Sequence, residues 1–297
     1  MSNKDLEEYK NKYLPTNDLL FKKLFGEDRE ITRKSLAFLI NEIVGFKGDD
    51  RIKEIKLLNP YLVTDLNEKR PIVDIKATSE NGTKYNVEMQ LAKQNYYSSR
   101  ALYYWAKLYA EDLPPGRDNY DKLTKTIGIH ILNFNYYEGD EMYKKHNMYY
   151  GDEKEYNSFK NIEMHTVELP KLELADKDKR FEIIHIIAAF LKDPEFVERN
   201  RNRFSKEQLK GLELMYQNYR QISFTKKEKT AFDDYDKAIK DEASRLQTAK
   251  EDGIEIGEKR GRSKEKIAIA RNLLATGVDE EIIAQSTGLT IEEIKNL

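Results

Sequence analysis

Apolar positions recur at helical spacing early in the chain. Leu19, Leu20, Phe21, Leu24 and Phe25 form one stripe behind the cap residues Thr16, Asn17 and Asp18, and Gly26 ends it. Leu36, Phe38, Leu39, Ile40 and Ile43 form a second stripe, predicting a helix over 31–44 that closes at Gly45. Ile52 to Leu58 leans towards strand until Asn59-Pro60 stops it. The period then changes to two. From Pro71 to Thr78, Val73, Ile75 and Ala77 fall on one side, with Asp74 and Lys76 on the other. Ser79 to Gly82 is a turn carrying Asn81-Gly82, the strongest short hairpin signal. From Thr83 to Leu91 the alternation resumes, with Tyr85, Val87, Met89 and Leu91 set against Asn86, Glu88 and Gln90. A β-hairpin with one apolar and one polar face is the expectation.

The next stretch, Gln94 to Leu113, is helical and rich in aromatics and ends at Pro114-Pro115-Gly116. Lys125 to Phe134 and Asn161 to Leu169 read as buried strands, the second closed by Pro170. Beyond Leu172 the strand signal fades into helical patterns at Phe181–Leu191, Glu195–Tyr219 and Asp234–Arg271. Two short helices follow in a tail over Ile267–Leu297, with Asp279 and Thr290 as caps and Gly277 and Gly288 as stops. The order predicts an α/β or α+β core with a mixed sheet over 1–175, a helical extension over 176–250, and a linker with its tail over 251–297. Gly253, Gly257 and Gly261 are spaced GxxxGxxxG inside a helical pattern, which excludes a dinucleotide loop. A loosely helical linker, or a face where two helices approach closely, remains.

Composition narrows the chemistry. The chain has 297 residues and no cysteine, and its four histidines (His130, His146, His165, His185) lie far apart. Disulfides, zinc ribbons, iron–sulfur clusters, thiol nucleophiles and Ser–His–Asp triads are thereby excluded or disfavoured. Carboxylates, Lys, Arg and Tyr are the available tools. With 51 basic and 53 acidic residues the net charge is −2, so a nucleic-acid surface has to be a local patch. Arg199, Arg201, Arg203, Lys206 and Lys210 form one basic cluster, and Lys259, Arg260, Arg262, Lys264 and Lys266 another. Either suits tracking of phosphates, but charged helices this far along a chain are more often simply solvated faces. No signal-length or membrane-length apolar run occurs, which predicts a soluble, cytoplasmic protein with no membrane partner.

A hairpin centred on Asn81 pairs Asp74 with Glu88 on the polar face. Opposed Cβ atoms in such a pair lie ~4.5–5.5 Å apart. Two carboxylates that close repel unless a cation joins them, and Mg²⁺ takes this kind of hard oxygen donor, with water or phosphate completing the shell. Gln90 lies on the same face, two residues from Glu88. A merely solvated sheet face is the alternative. Asp18 reads from its position as a helix cap or first-turn dipole partner, and Lys22, one turn on, faces either phosphate or solvent. In the helix after the hairpin, Arg100 is the candidate phosphate contact, whereas the neighbouring aromatics suit packing on the sheet.

The segment VDIKATSENGTKYNVEMQ resembles the core of the PD-(D/E)XK nuclease superfamily, and in particular its Rpn-type group of recombination-promoting nucleases and transposases. NDLLFKKLFG, RALYYWAKLY followed by GRDNYDKL, and KTIGIHILNF agree with it in order, so the resemblance covers about residues 14 to 135. It implies a restriction-endonuclease-like fold, a mixed sheet flanked by helices, and a DNA endonuclease that uses Mg²⁺ or Mn²⁺ to hydrolyse phosphodiester bonds and promote recombination of mobile elements. Asp74 matches the motif Asp, Glu88 the (D/E), and Gln90 the position of the motif Lys, while Asp18 matches an acidic residue of the opening helix, which adds the role of an extra acidic metal ligand. Gln90 departs from the superfamily pattern, because a neutral amide cannot stabilise a hydroxide as an ammonium does. Lys76, on the same face as Asp74, is the candidate to supply the missing charge. The tail is similar to helix-turn-helix-like tails of this group. The competing class is an inactive nucleic-acid-binding or assembly protein that keeps the fold, and a homodimer stays open in both.

Overall fold

The computed structural model describes residues 14–58, 74–113, 120–147, 149–150, 153–157, 159–175, 182–222 and 225–297. The predicted break at Asn59-Pro60, the start of the hairpin at Pro71–Val73 and the Pro114-Pro115-Gly116 stop lie outside them. The chain divides into two compact units, Met1–Ser223 and Phe224–Leu297.

In the first unit, α1 (Asp18–Gly26) and α2 (Glu30–Val44) are the two predicted opening helices. Asn17 caps α1 by accepting the Leu19 and Leu20 N–H groups, and Gly45 ends α2 in the left-handed conformation. A six-stranded mixed sheet follows in the order β1-β2-β3-β4-β8-β5. Its strands are β1 (Ile55–Leu57), β2 (Ile75–Ser79), β3 (Lys84–Gln90), β4 (Thr126–Leu132), β5 (Tyr143–His146) and β8 (Ile162–Glu168). The first three run antiparallel, β3-β4-β8 are parallel, and β5 closes the edge antiparallel to β8. A separate pair, β6 (Tyr149–Tyr150) and β7 (Glu153–Asn157), was not anticipated from the sequence, and neither was β5. Helix α3 spans Tyr97–Ala110 between β3 and β4.

The hairpin register is the expected one. Ile75 pairs with Val87, Lys76 with Asn86 and Ala77 with Tyr85 around the three-residue loop Glu80–Gly82. Asn81 Oδ1 accepts the Thr83 N–H at 3.0 Å, and Gly82 takes φ 84°, which a residue with a Cβ resists. The odd-numbered row of Ile75, Ala77, Tyr85, Val87, Ile127 and Ile129 is fully buried on one side of the sheet. Gly26 stops α1 against Ile75, within 3.5 Å of where a Cβ would sit.

The other face is not solvated. Lys76, Asn86 and Glu88 are as buried as the apolar row, because α3 covers them. Lys76 reaches Glu111 at 2.6 Å, Lys84 reaches Asp112 at 2.7 Å and the Leu108 carbonyl at 3.2 Å, and Trp105 Nε1 donates to the Thr126 carbonyl at 2.8 Å. Both faces of the sheet are therefore core, as in sheets containing parallel strands.

The rest of this unit is α4 (Ile183–Lys192), α5 (Glu195–Arg199) and α6 (Lys206–Gln221). A 3₁₀ turn at Arg201–Arg203 interrupts the expected continuous helix over 195–219, and the Ser205 capping box restarts it. α6 packs on α2, with Gly211 under the Phe38 ring where no side chain fits. Asn218, fully buried, donates to the Leu24 carbonyl at 2.7 Å and accepts from Arg29 at 3.0 Å, tying α6 to the opening helices.

In the second unit, α7 runs unbroken for 50 residues, Lys226–Ala275, straight through the three glycines. A Cβ added at any of them would meet no heavy atom beyond its own helix backbone within 4 Å among the described residues. α8 (Glu280–Thr287) and α9 (Ile291–Lys295) start at the predicted caps Asp279 and Thr290. Ala270, Ile283 and Ile294 form their common core with the end of α7. Among the described residues no helix is long and apolar enough to cross a membrane.

Candidate active site

The hairpin delivers two acids to the point where α1, β2, β3 and α3 meet. Asp74 stands one residue before β2 and accepts the Met89 N–H through Oδ2 at 2.9 Å. Its own N–H donates to Glu88 Oε1 at 3.3 Å, so backbone and side chain lock the two acids together. Gln90 Nε2 donates to Glu88 Oε2 at 3.1 Å, and Arg100 in the first turn of α3 donates to Gln90 Oε1. Arg100 also donates to Gln94 Oε1 at 2.6 Å. On the opposite flank, the Lys22 ammonium lies 3.0 Å from Asp74 and 3.1 Å from Asp18.

The electrostatics follow from burial. Glu88 is only 4% exposed. Burial first, and the Asp74 carboxylate second, push it up to about 8. Burial also raises Asp74, against the pull of Lys22. Burial works against the charge of Lys22, but Asp74 and Asp18 outweigh it and hold that ammonium above its ordinary value. On β4, directly opposite Glu88, His130 is fully enclosed and pushed down to about 4, by burial and then by Arg100. It is a neutral wall to the site.

Of the residues singled out from the sequence, Asp74, Glu88, Gln90, Asp18, Lys22 and Arg100 fall in this one region. Lys76 does not. Its ammonium is 5% exposed and is spent on Glu111 beneath α3, so it neither faces the acids nor reaches solvent. Asp18 meets Asp74 only through Lys22, and no group of three acidic or histidine side chains converges on one point among the described residues. Gln94 and His130 were missed as parts of the site. Gln94 lies before the start of α3, so helical spacing does not join it to Arg100, and the placing of His130 beside Glu88 needed the strand register.

The mixed sheet, its flanking helices and the acid pair on the β2–β3 hairpin define an α/β protein of the nuclease-like PD-(D/E)XK class. A family model described as PD-(D/E)XK nuclease family transposase matches residues 15–249, and one described as Rpn/YhgA-like nuclease family, C-terminal HTH domain matches residues 263–297. The chain belongs to the PD-(D/E)XK nuclease family transposases. No curated protein and no solved structure matches it.

The donor set suits a hard divalent cation. Asp74 and Glu88 offer only carboxylate oxygens, and Mg²⁺ is commonly held by one or two carboxylates with water and substrate phosphate completing the shell. Glu88, buried against a second carboxylate with no cation bonded to it among the described residues, is the group such an ion would satisfy.

Proposed function

We propose that the protein is a metal-dependent DNA endonuclease in which Asp74 and Glu88 hold Mg²⁺, with Mn²⁺ as a substitute. The observation that carries this is the pair of carboxylates locked together on one hairpin, Asp74 half-buried and Glu88 buried with no bonded cation among the described residues. An ion held by Asp74 and Glu88 would lower the pKa of a water towards neutrality and would offset charge on the phosphate. Gln90, hydrogen-bonded to Glu88, orients the water or a phosphate oxygen. Asp18 holds Lys22 at the rim, where its ammonium meets the DNA backbone once it leaves Asp74. The tail of α7, α8 and α9 is the second DNA contact, in keeping with its helix-turn-helix family. One such site cuts one strand, so a double-strand break takes two, which a homodimer supplies. Breaks of this kind promote recombination of mobile elements, and the cytoplasm is where the DNA is met.

The test is nicking of supercoiled plasmid by the purified full chain with Mg²⁺ or Mn²⁺, against EDTA. Asp74→Ala and Glu88→Ala are expected to lower the rate by more than about a hundredfold while leaving the fold intact. Unchanged nicking by Glu88→Ala removes the assignment. The second reading, a DNA-binding protein without turnover, draws on Lys22 filling the space between Asp18 and Asp74 and on the neutral Gln90. It predicts DNA binding without metal-dependent nicking by the wild type.

A further inference from the structure

Arg100 acts on the Glu88 carboxylate through space, yet it hydrogen-bonds no carboxylate among the described residues. Both of its side-chain hydrogen bonds go to neutral amide oxygens, those of Gln90 and Gln94. Its N–H bonds to the Tyr96 carbonyl, which places it in the first turn of α3, where the helix dipole disfavours a cation. Arg100 fixes one thing: by taking Gln90 Oε1, it forces the amide to present Nε2 to Glu88. The three side chains form one line, Arg100 to Gln90 to Glu88, ending at the acid pair. The other cations nearby are already used, Lys76 by Glu111 and Lys22 by two carboxylates.

We propose, resting on the nuclease reading above, that Arg100 is the positioning residue of this site and that its guanidinium, relayed through Gln90, supplies the positive charge that the neutral amide lacks. Hydrolysis raises negative charge on the attacked phosphate and its water. An amide polarised by a cation behind it stabilises that charge better than an isolated one, because bonds in a chain strengthen one another.

The experiment uses the full chain with Arg100→Gln and with Gln90→Lys added in the Arg100→Gln background. Plasmid-nicking kinetics and Mn²⁺ affinity by calorimetry are both read. Arg100→Gln is expected to lower kcat about a hundredfold with little change in KM. Its Mn²⁺ affinity stays level or rises, since a cation has left the neighbourhood of Glu88. Gln90→Lys, placing an ammonium beside Glu88, recovers at least about a tenfold part of the loss. The proposal is overturned if kcat is unchanged, if only KM rises, if Mn²⁺ affinity falls in step with kcat, or if Gln90→Lys recovers nothing. A wild type without metal-dependent nicking removes the nuclease reading and this proposal together. An active wild type with any of those four results removes this proposal alone.

Discussion

Two glutamates of one sheet are equally enclosed and behave in opposite ways. Glu88 on β3 is 4% exposed and Glu163 on β8 is 5% exposed. Glu163 accepts from Lys125 at 2.7 Å, Lys145 at 2.8 Å and His165 at 2.8 Å, and His165 is braced in turn by the Tyr143 hydroxyl at 2.7 Å. Burial works to raise Glu163, but these donors win and hold it far below the ordinary carboxylate range. Glu88 has a backbone N–H and an amide, and the charge that acts on it most strongly is a second carboxylate. The difference separates an acid bonded by three cationic or imidazole donors from one whose bonded partners are neutral. Burial alone is no signal of function; a buried acid whose bonded partners are all neutral is.

The sharpest way to break this contrast is stability in EDTA. Glu88 is raised in the fold from 4.5 to about 8, so the unfolded chain holds fewer protons between those values. The contribution of Glu88 therefore falls as pH rises from the ordinary carboxylate value through 8. Glu88→Gln is expected to stabilise the metal-free protein at pH 8 by about 1 kcal/mol or more, and less at pH 5. Glu163 is depressed, so its contribution is present above the ordinary carboxylate value and Glu163→Gln loses it, by about 1–3 kcal/mol at pH 7. Nicking by Glu163→Gln stays at the wild-type rate. Urea unfolding of the two variants at pH 5 and 8 decides it, and a loss of stability in both erases the distinction.

A second effect follows from the same proton. Mn²⁺ can join Glu88 only in its ionised form, so affinity should climb by up to about tenfold per pH unit from 5 towards 8 and then level off. Calorimetry at pH 6 in buffers of different ionisation enthalpy should report close to one proton released. Affinity that is flat across this range would mean that Glu88 is already ionised without metal.

The sequence revealed what is local. Alternation and Asn81-Gly82 set the hairpin register, which brings Asp74 beside Glu88. Asp279 and Thr290 announced the two tail helices through cap bonds spanning two or three residues. What depends on distant partners stayed hidden. The row of Lys76, Asn86 and Glu88 has the pattern of a wet face, and only α3, with Glu111 35 residues beyond Lys76, turns it into core. Strand β5 is Tyr-Lys-Lys-His, with no apolar alternation, because as an edge strand it is held by backbone pairing to β8. Asn218 looks like a surface residue of a charged helix until Arg29, 189 positions earlier, is found against it. Lys76 was the natural choice for the missing charge on spacing alone, and Arg100 was legible only as a phosphate contact because its bond to Gln90 joins two elements.

Lys22 supplies the smallest effect and the closest probe of the acid pair from its other side. Its ammonium spans Asp18 and Asp74 at 3.1 and 3.0 Å and is 37% exposed, so it screens the acids without being fixed by the core. A partly exposed cation in this position does two opposing things. It relieves repulsion between Asp18 and Asp74 in the metal-free protein, and it competes with a divalent ion for Asp74. Lys22→Met should therefore cost less than about 1 kcal/mol of stability in EDTA and tighten Mn²⁺ binding about three- to tenfold. Melting in EDTA and Mn²⁺ titration of the same preparation separate the two effects. If Mn²⁺ binding weakens instead, Lys22 is holding Asp74 in place for the ion rather than competing with it, and the site is ordered from α1 as well as from the hairpin.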